Sequence, residues 1–187
     1  MIRIGIDPSI NCTGVCINWG DYNEYYMIPS KTTKKLLNFS HEYIHIQPYL
    51  KFDAKDKEYS EKEEVKTLNI ASICQNLKDI ICGIRIIDDI EVVMEGVSYG
   101  SVGSAALVDL AGLNFAIRYM LISNNIHFKI VSPTSVKKFA VANGSAEKDI
   151  IIDAWKRLDK NISDIKDIKI DDLADAYFLA HYENLQS

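Results

Sequence analysis

The sequence predicts a mixed α/β domain with a five-stranded sheet flanked by helices. Three observations predict it: three strand-like segments come first, a helix–strand alternation follows, and the chain beyond residue 132 carries helical periods only. At 187 residues and 48% hydrophobic content, the chain is long enough for a single domain with a substantial core.

Residues 2–7, Ile-Arg-Ile-Gly-Ile-Asp, form a β-branched run that stops at Asp7-Pro8, and residues 13–19 form a second run after a Ser-Ile-Asn turn. A third short strand at residues 25–28 completes an antiparallel meander. An excursion at about residues 20–57 interrupts the pattern: past Pro29 it has no clean period, and it holds six Lys together with Phe39, Tyr43, Tyr49 and Phe52. From Ser60, the series Val65, Leu68, Ile70, Ile73, Leu77, Ile80, Ile81 and Ile84 fits a long amphipathic helix, and residues 90–94 read as a short buried strand. Residues 104–122 are apolar on nearly every side, so a helix there must be covered on more than its core face. Residues 127–131 supply the fifth strand. Helices follow at about 134–141 and 146–158, and a last one runs from about Asp171 to Tyr182.

A formal net charge of -5 speaks against holding nucleic acid by global charge. The charge is unevenly placed, however. Residues 158–187 hold seven acids against three Lys, whereas residues 127–157 carry a net charge of +3, so a basic surface and an acidic site can coexist. The N-terminus has no apolar run with a small-residue cleavage site, and the expected address is cytoplasmic. The most apolar stretch, 105–122, is broken by Asp109, Asn114 and Arg118, and no membrane span is expected. Cys12, Cys16, Cys74 and Cys82 lack the spacing of a zinc site, and we expect reduced thiols that fill core space.

The acids carry the chemistry. Asp7 ends the first apolar strand and Glu95 follows the apolar run 90–94, so both stand where buried strands leave the sheet. A buried carboxylate is costly unless paired or metal-bound. Asp172 and Asp175 are three apart at the start of the last helix, on one face. If that face meets the strand ends, four oxygen donors converge, a set suited to Mg²⁺ or Mn²⁺. Two such ions roughly 3.5 to 4 Å apart can activate water and stabilise a leaving oxygen in phosphodiester hydrolysis. Each acid has a plainer reading: Asp7 before Pro8 as a turn former, Asp171 or Asp172 as a helix N-cap.

These residues resemble the RuvC-type Holliday junction resolvases of the RNase H-like superfamily. The resemblance rests on Gly5-Ile6-Asp7-Pro8 with Thr13-Gly14, on Glu95, on residues 132–138 (Ser-Pro-Thr-Ser-Val-Lys-Lys), on Gly144-Ser145-Ala146-Glu147-Lys148, and on Asp172-Leu173-Ala174-Asp175-Ala176, in family order from first strand to last helix. It implies an RNase H-like fold and a crossover junction endodeoxyribonuclease that resolves four-way and other branched DNA by paired nicks. It also implies Asp7, Glu95, Asp172 and Asp175 as catalytic metal ligands, Mg²⁺ as cofactor with Mn²⁺ as substitute, two ions per site, and a homodimer through the helix 104–122. Lys137, Lys138 and Lys148 match the family's basic residues near the DNA. Tyr99 lies four residues beyond Glu95, near where relatives carry an aromatic wedge that could stack on an unpaired base. The excursion, with the Ile, Asn and Lys usage, resembles the phage-encoded branch. Ser9 departs from the Gly of many relatives.

Two other classes share part of this pattern. A non-catalytic protein binding branched DNA would gain nothing from four acids facing phosphates. An actin-like phosphotransfer ATPase shares Gly5-Ile6-Asp7 and Thr13-Gly14, but that architecture needs two such domains.

Overall fold

A computed structural model describes residues 1–85, 89–97, 104–165 and 170–182. The predicted meander is present as β1 (Ile2–Asp7), β2 (Cys12–Asn18) and β3 (Asn23–Pro29), antiparallel throughout. The chain then forms one short helical turn, α1 (Lys34–Leu37), and β4 (Ile44–Ile46), before the long helix α2 (Tyr59–Arg85). Next come β5 (Ile90–Glu95), α3 (Ser104–Ser123), β6 (Phe128–Val131), α4 (Pro133–Val141), α5 (Lys148–Leu158) and α6 (Asp171–Ala180).

The sheet has six strands rather than five, in the order β4-β3-β2-β1-β5-β6. The added strand is β4, inside the excursion, which pairs parallel with β3 through Tyr25–Ile44, Tyr26–His45 and Met27–Ile46. Three residues centred on His45 are too short to show a period, so only pairing reveals the strand. β5 lies parallel to β1, and β6 parallel to β5, as helical crossovers require.

Alternation along the strands divides the core in two. Ile2, Ile4 and Ile6 of β1, Val15 and Ile17 of β2, and Val92 and Met94 of β5 face α2 and α3, where Ile73, Leu77, Ile81, Leu113, Ile117 and Leu121 meet them. The other face carries Gly5, Gly14, Cys16, Tyr25, Met27 and Val93 and is covered by α4, α5 and α6. α6 lies directly on β1 and β2, and two glycines permit that approach. A Cβ on Gly5 would stand 2.0 Å from the Ala176 carbonyl oxygen, and one on Gly14 would stand 2.2 Å from that of Asp172. Neither position could hold a larger residue with α6 in place.

The cysteines are all free: Cys16 is buried, and Cys12, Cys74 and Cys82 are half-buried. By length and composition, 105–123 is one helix that could reach across a membrane. In the fold its apolarity is divided between two faces. Leu113, Ile117 and Leu121 are wholly buried, while Val108, Phe115, Tyr119 and Ile122 are 56–73% exposed.

Candidate active site

β1 and β5 run parallel with Ile6 opposite Met94, so Asp7 and Glu95 stand one step further on, side by side. By strand alternation both side chains project on the α6 face, where neighbouring strands are only about 4.8 Å apart. Asp7 is 8% exposed. The Glu95 end of β5 is fixed by Gly96 N–H, which donates to the Val131 carbonyl at 2.8 Å, and by Asn114 Nδ2, which donates to the Glu95 carbonyl at 2.8 Å. α6 begins directly above. Asp171 and Asp172 occupy its first turn and Asp175 the next, and Ile170, not an acid, is the N-cap. The N-cap reading of Asp171 and Asp172 therefore fails.

Burial and mutual repulsion govern these acids. Asp7 is held well above the usual carboxylate range, first by burial and then by the charges of Glu95, Asp175 and Asp172, with Lys148 opposing. Glu95 is pushed up to about 7 by burial and by Asp175, against a hydrogen bond with Asp7 and the charges of Lys137 and Lys148. Asp175 is pushed up to about 6 by burial, while Lys148 and Lys137 pull it down and Asp171 pushes it up. Asp7 and Glu95, hydrogen-bonded to each other, thus both hold their protons more tightly than ordinary carboxyl groups. Asp172 is hydrogen-bonded to the Cys12 thiol, whose own ionisation is pushed up by burial and by that neighbouring charge.

Glu91 supplies an internal contrast, four residues earlier on the same strand face. It forms ion pairs with Lys129 Nζ at 2.7 Å and Arg3 Nε at 3.3 Å, and the Lys129 hydrogen bond holds it below the usual range. Carboxylates kept for structure are neutralised in this way. At the other end of β5, Asp7, Glu95 and Asp175 are instead held above the usual range, with burial outweighing the opposing charge of Lys148 and, for the latter two, of Lys137, a perturbation common where acids do chemistry.

The basic residues divide. Lys148 Nζ pairs with Asp171, which is buried, and feels Asp172 and Asp175. Burial lowers the Lys148 ammonium, but the Asp171 bond and the three carboxylates outweigh it and raise its affinity for the proton. Lys137 Nζ donates to the Ala146 carbonyl at 3.0 Å, which ties α4 to the loop before α5 and leaves its charge facing Glu95 and Asp175. Lys138 is exposed, and its stem lies beside Gly144. Tyr99 lies outside the described residues.

Among the described residues no three His, Cys, Asp or Glu side chains are gathered as a ready-made metal cage. The donors nevertheless fit a hard divalent cation. They are carboxylate oxygens, desolvated and mutually repelling, and both effects raise their affinity for a proton. The sequence reading overlooked two contributors. Asp171 was weighed only as a cap, yet it orients Lys148. Asn114 was noted only as a break in an apolar helix, although a buried amide must find partners and this one holds the Glu95 backbone.

No protein-family model matches the chain, and no curated protein does. Solved structures do. Thermus thermophilus RuvC in complex with a Holliday junction substrate superposes with a TM-score of 0.58 at 14% identity, covering 96% of this chain and 90% of that one. A second Thermus thermophilus RuvC structure gives 0.55 at 14% identity over 96% and 91%. The chain has the fold of the RuvC-type resolvases. The yeast mitochondrial Holliday junction resolvase Ydc2 gives 0.55 at 12% identity, covering 95% of this chain and 75% of that one. The mixed sheet and its flanking helices thus have the predicted architecture, and β4 enlarges it.

Proposed function

We propose that this protein is a metal-dependent, structure-specific endodeoxyribonuclease that resolves four-way DNA junctions, and other branched DNA, by paired nicks. The observation that carries the reading is the juxtaposition of Asp7 and Glu95 at adjacent strand ends beneath Asp172 and Asp175 of α6, on a fold shared with proteins described as Holliday junction resolvases.

In this reading Asp7, Glu95, Asp172 and Asp175 hold Mg²⁺, with Mn²⁺ as substitute and two ions per site. Divalent cations bound there supply positive charge to the attacked phosphate and make a water a better nucleophile. The chain's own residues do the rest. Lys148, held by Asp171, and Lys137, held by the Ala146 carbonyl, set two ammonium groups beside the acids to draw in the phosphodiester. Lys138, on the exposed side of α4, meets phosphate further along the duplex arm. Tyr99 stacks at the crossover.

Two nicks require two sites. The stripe Val108, Phe115, Tyr119 and Ile122 on α3 is spaced by seven, four and three residues and exposed to solvent, the character of a surface that buries itself in a second copy. The homodimer through 104–122, a cytoplasmic setting and a phage-encoded origin belong to the same reading. The test is cleavage of four-way, three-way, flap and linear DNA side by side in Mg²⁺ and in Mn²⁺. Symmetric paired cuts in the four-way junction support a resolvase, whereas binding without cutting in either metal supports the non-catalytic alternative.

A further inference from the structure

A groove of about 470 Å³ opens beside Asp172 and Lys148 and runs away from the acids toward the excursion. Its floor is apolar, built from Cys12, Met27 and Leu36, and its rim carries the ammonium groups of Lys31, Lys35 and Lys148. Its far wall is the start of the excursion, and that wall is fastened. Ser30 N–H donates to the Asn11 carbonyl at 2.8 Å, tying the end of β3 to the β1–β2 loop. Thr33 Oγ1 accepts from Leu36 N–H at 3.3 Å and fixes the turn that carries Lys35. Across the groove, the β1–β2 loop is held by Thr13 Oγ1, which donates to the Ser9 carbonyl at 2.8 Å.

An apolar floor with a cationic rim fits a ligand that is flat and apolar at one end and anionic at the other. The volume falls at the lower end of the range of roughly 300–1,000 Å³ usual for small-ligand sites, about the scale of one nucleotide. The groove also begins at Asp172, so a strand whose phosphate lay against the acids would continue along it. We infer that this groove seats the nucleotide next to the cleaved phosphate, with sugar and base on Met27 and Leu36 and the next phosphate between Lys31 and Lys35. The excursion is then a strand-binding wall of the active site. This inference rests on the nuclease reading for its orientation but makes a separate prediction about single-stranded DNA.

The test uses the full-length chain and two charge-reversal pairs. K31E/K35E alters the groove; K51E/K55E makes the same change in net charge on exposed excursion residues outside it. Binding of a fluorescein-labelled single-stranded oligonucleotide and of a four-way junction is followed against salt. For the groove pair we expect about tenfold weaker single-strand binding and a log–log salt slope smaller by about 1.4, the effect of two lost phosphate contacts. The control pair should change neither by more than about a third as much. Equal losses in both pairs, or none in the groove pair, overturn the inference. If the junction is cut normally by the groove pair and single-strand binding is unchanged, the groove alone is wrong. If the wild type never cuts a junction but binds single strands in a Lys31- and Lys35-dependent way, the groove stands and the resolvase reading falls.

Discussion

Gly14 and Asp172 meet backbone to backbone: a Cβ on Gly14 would lie 2.2 Å from the Asp172 carbonyl oxygen and 3.2 Å from its Cβ. The candidate site depends on that contact, because it sets the height of the acidic first turn of α6 above the strand ends. The acid set is drawn from the first strand, the middle of the chain and the last helix, and the glycines of β1 and β2 let the last helix come down onto the strands.

Gly14→Ala should therefore displace α6 and cost about 2–3 kcal/mol, toward the upper end of overpacking effects because the obstacle is backbone. Urea unfolding measures it, and junction cleavage should fall with it. Gly83→Ala is the matched control: Gly83 lies within α2 with nothing within 4 Å of an added Cβ, and its replacement should stabilise by about 0.5–1 kcal/mol with cleavage intact.

The raised carboxyl groups predict a pH dependence with a definite sign. Glu95 and Asp175 bind protons more tightly folded, at about 7 and about 6, than unfolded, where ordinary carboxyls titrate near 4. Their contribution to stability is fully present below about pH 4 and is lost as pH rises through 6 and 7. Differential scanning of the metal-free protein against Glu95→Gln at pH 5 and pH 8 should show the wild type losing more between the two. Adding Mg²⁺ at pH 8 should recover the loss, since cation binding favours the deprotonated acids.

By the same reasoning Asp7→Asn should stabilise the metal-free protein near pH 8 by about 0.5–2 kcal/mol while removing a site oxygen. For a chain of this size that corresponds to a rise in Tm of about 2–6 °C. A fall in Tm would mean that the cluster is not strained by repulsion.

The exposed α3 stripe predicts a separable defect. Phe115→Glu and Tyr119→Glu sit on solvent-facing positions, so the fold should survive while the dimer does not. Sedimentation should show a monomer, and a cruciform plasmid should be nicked in one strand instead of linearised. Linear product from a monomeric variant would exclude paired action through α3.

Much of the site was legible because burial and charge conflict within the sequence itself. An acid that ends a run such as Ile2–Asp7 is anomalous in any core, and Asp172 with Asp175 repeats at helical spacing. What stayed hidden depends on contacts distant in sequence. β4 is three residues long and has no period of its own; only its pairing with Tyr25–Met27 makes it a strand. Asn114 looked like an interruption, because its partner is the backbone of a different element. Lys148 and Asp171 are 23 residues apart, and their pairing needs α5 laid against α6. The groove shares this origin: the turn after Asp7 and the Lys-rich excursion were each visible in sequence, but only the fold sets them facing each other beside Asp172.

The most direct test is cleavage of a four-way junction in Mg²⁺ and in Mn²⁺ by the wild type, Asp7→Asn and Glu95→Gln, with binding measured in parallel. The account predicts paired cuts by the wild type and, for both variants, no cutting with junction binding retained. Wild-type cleavage by both variants would contradict it.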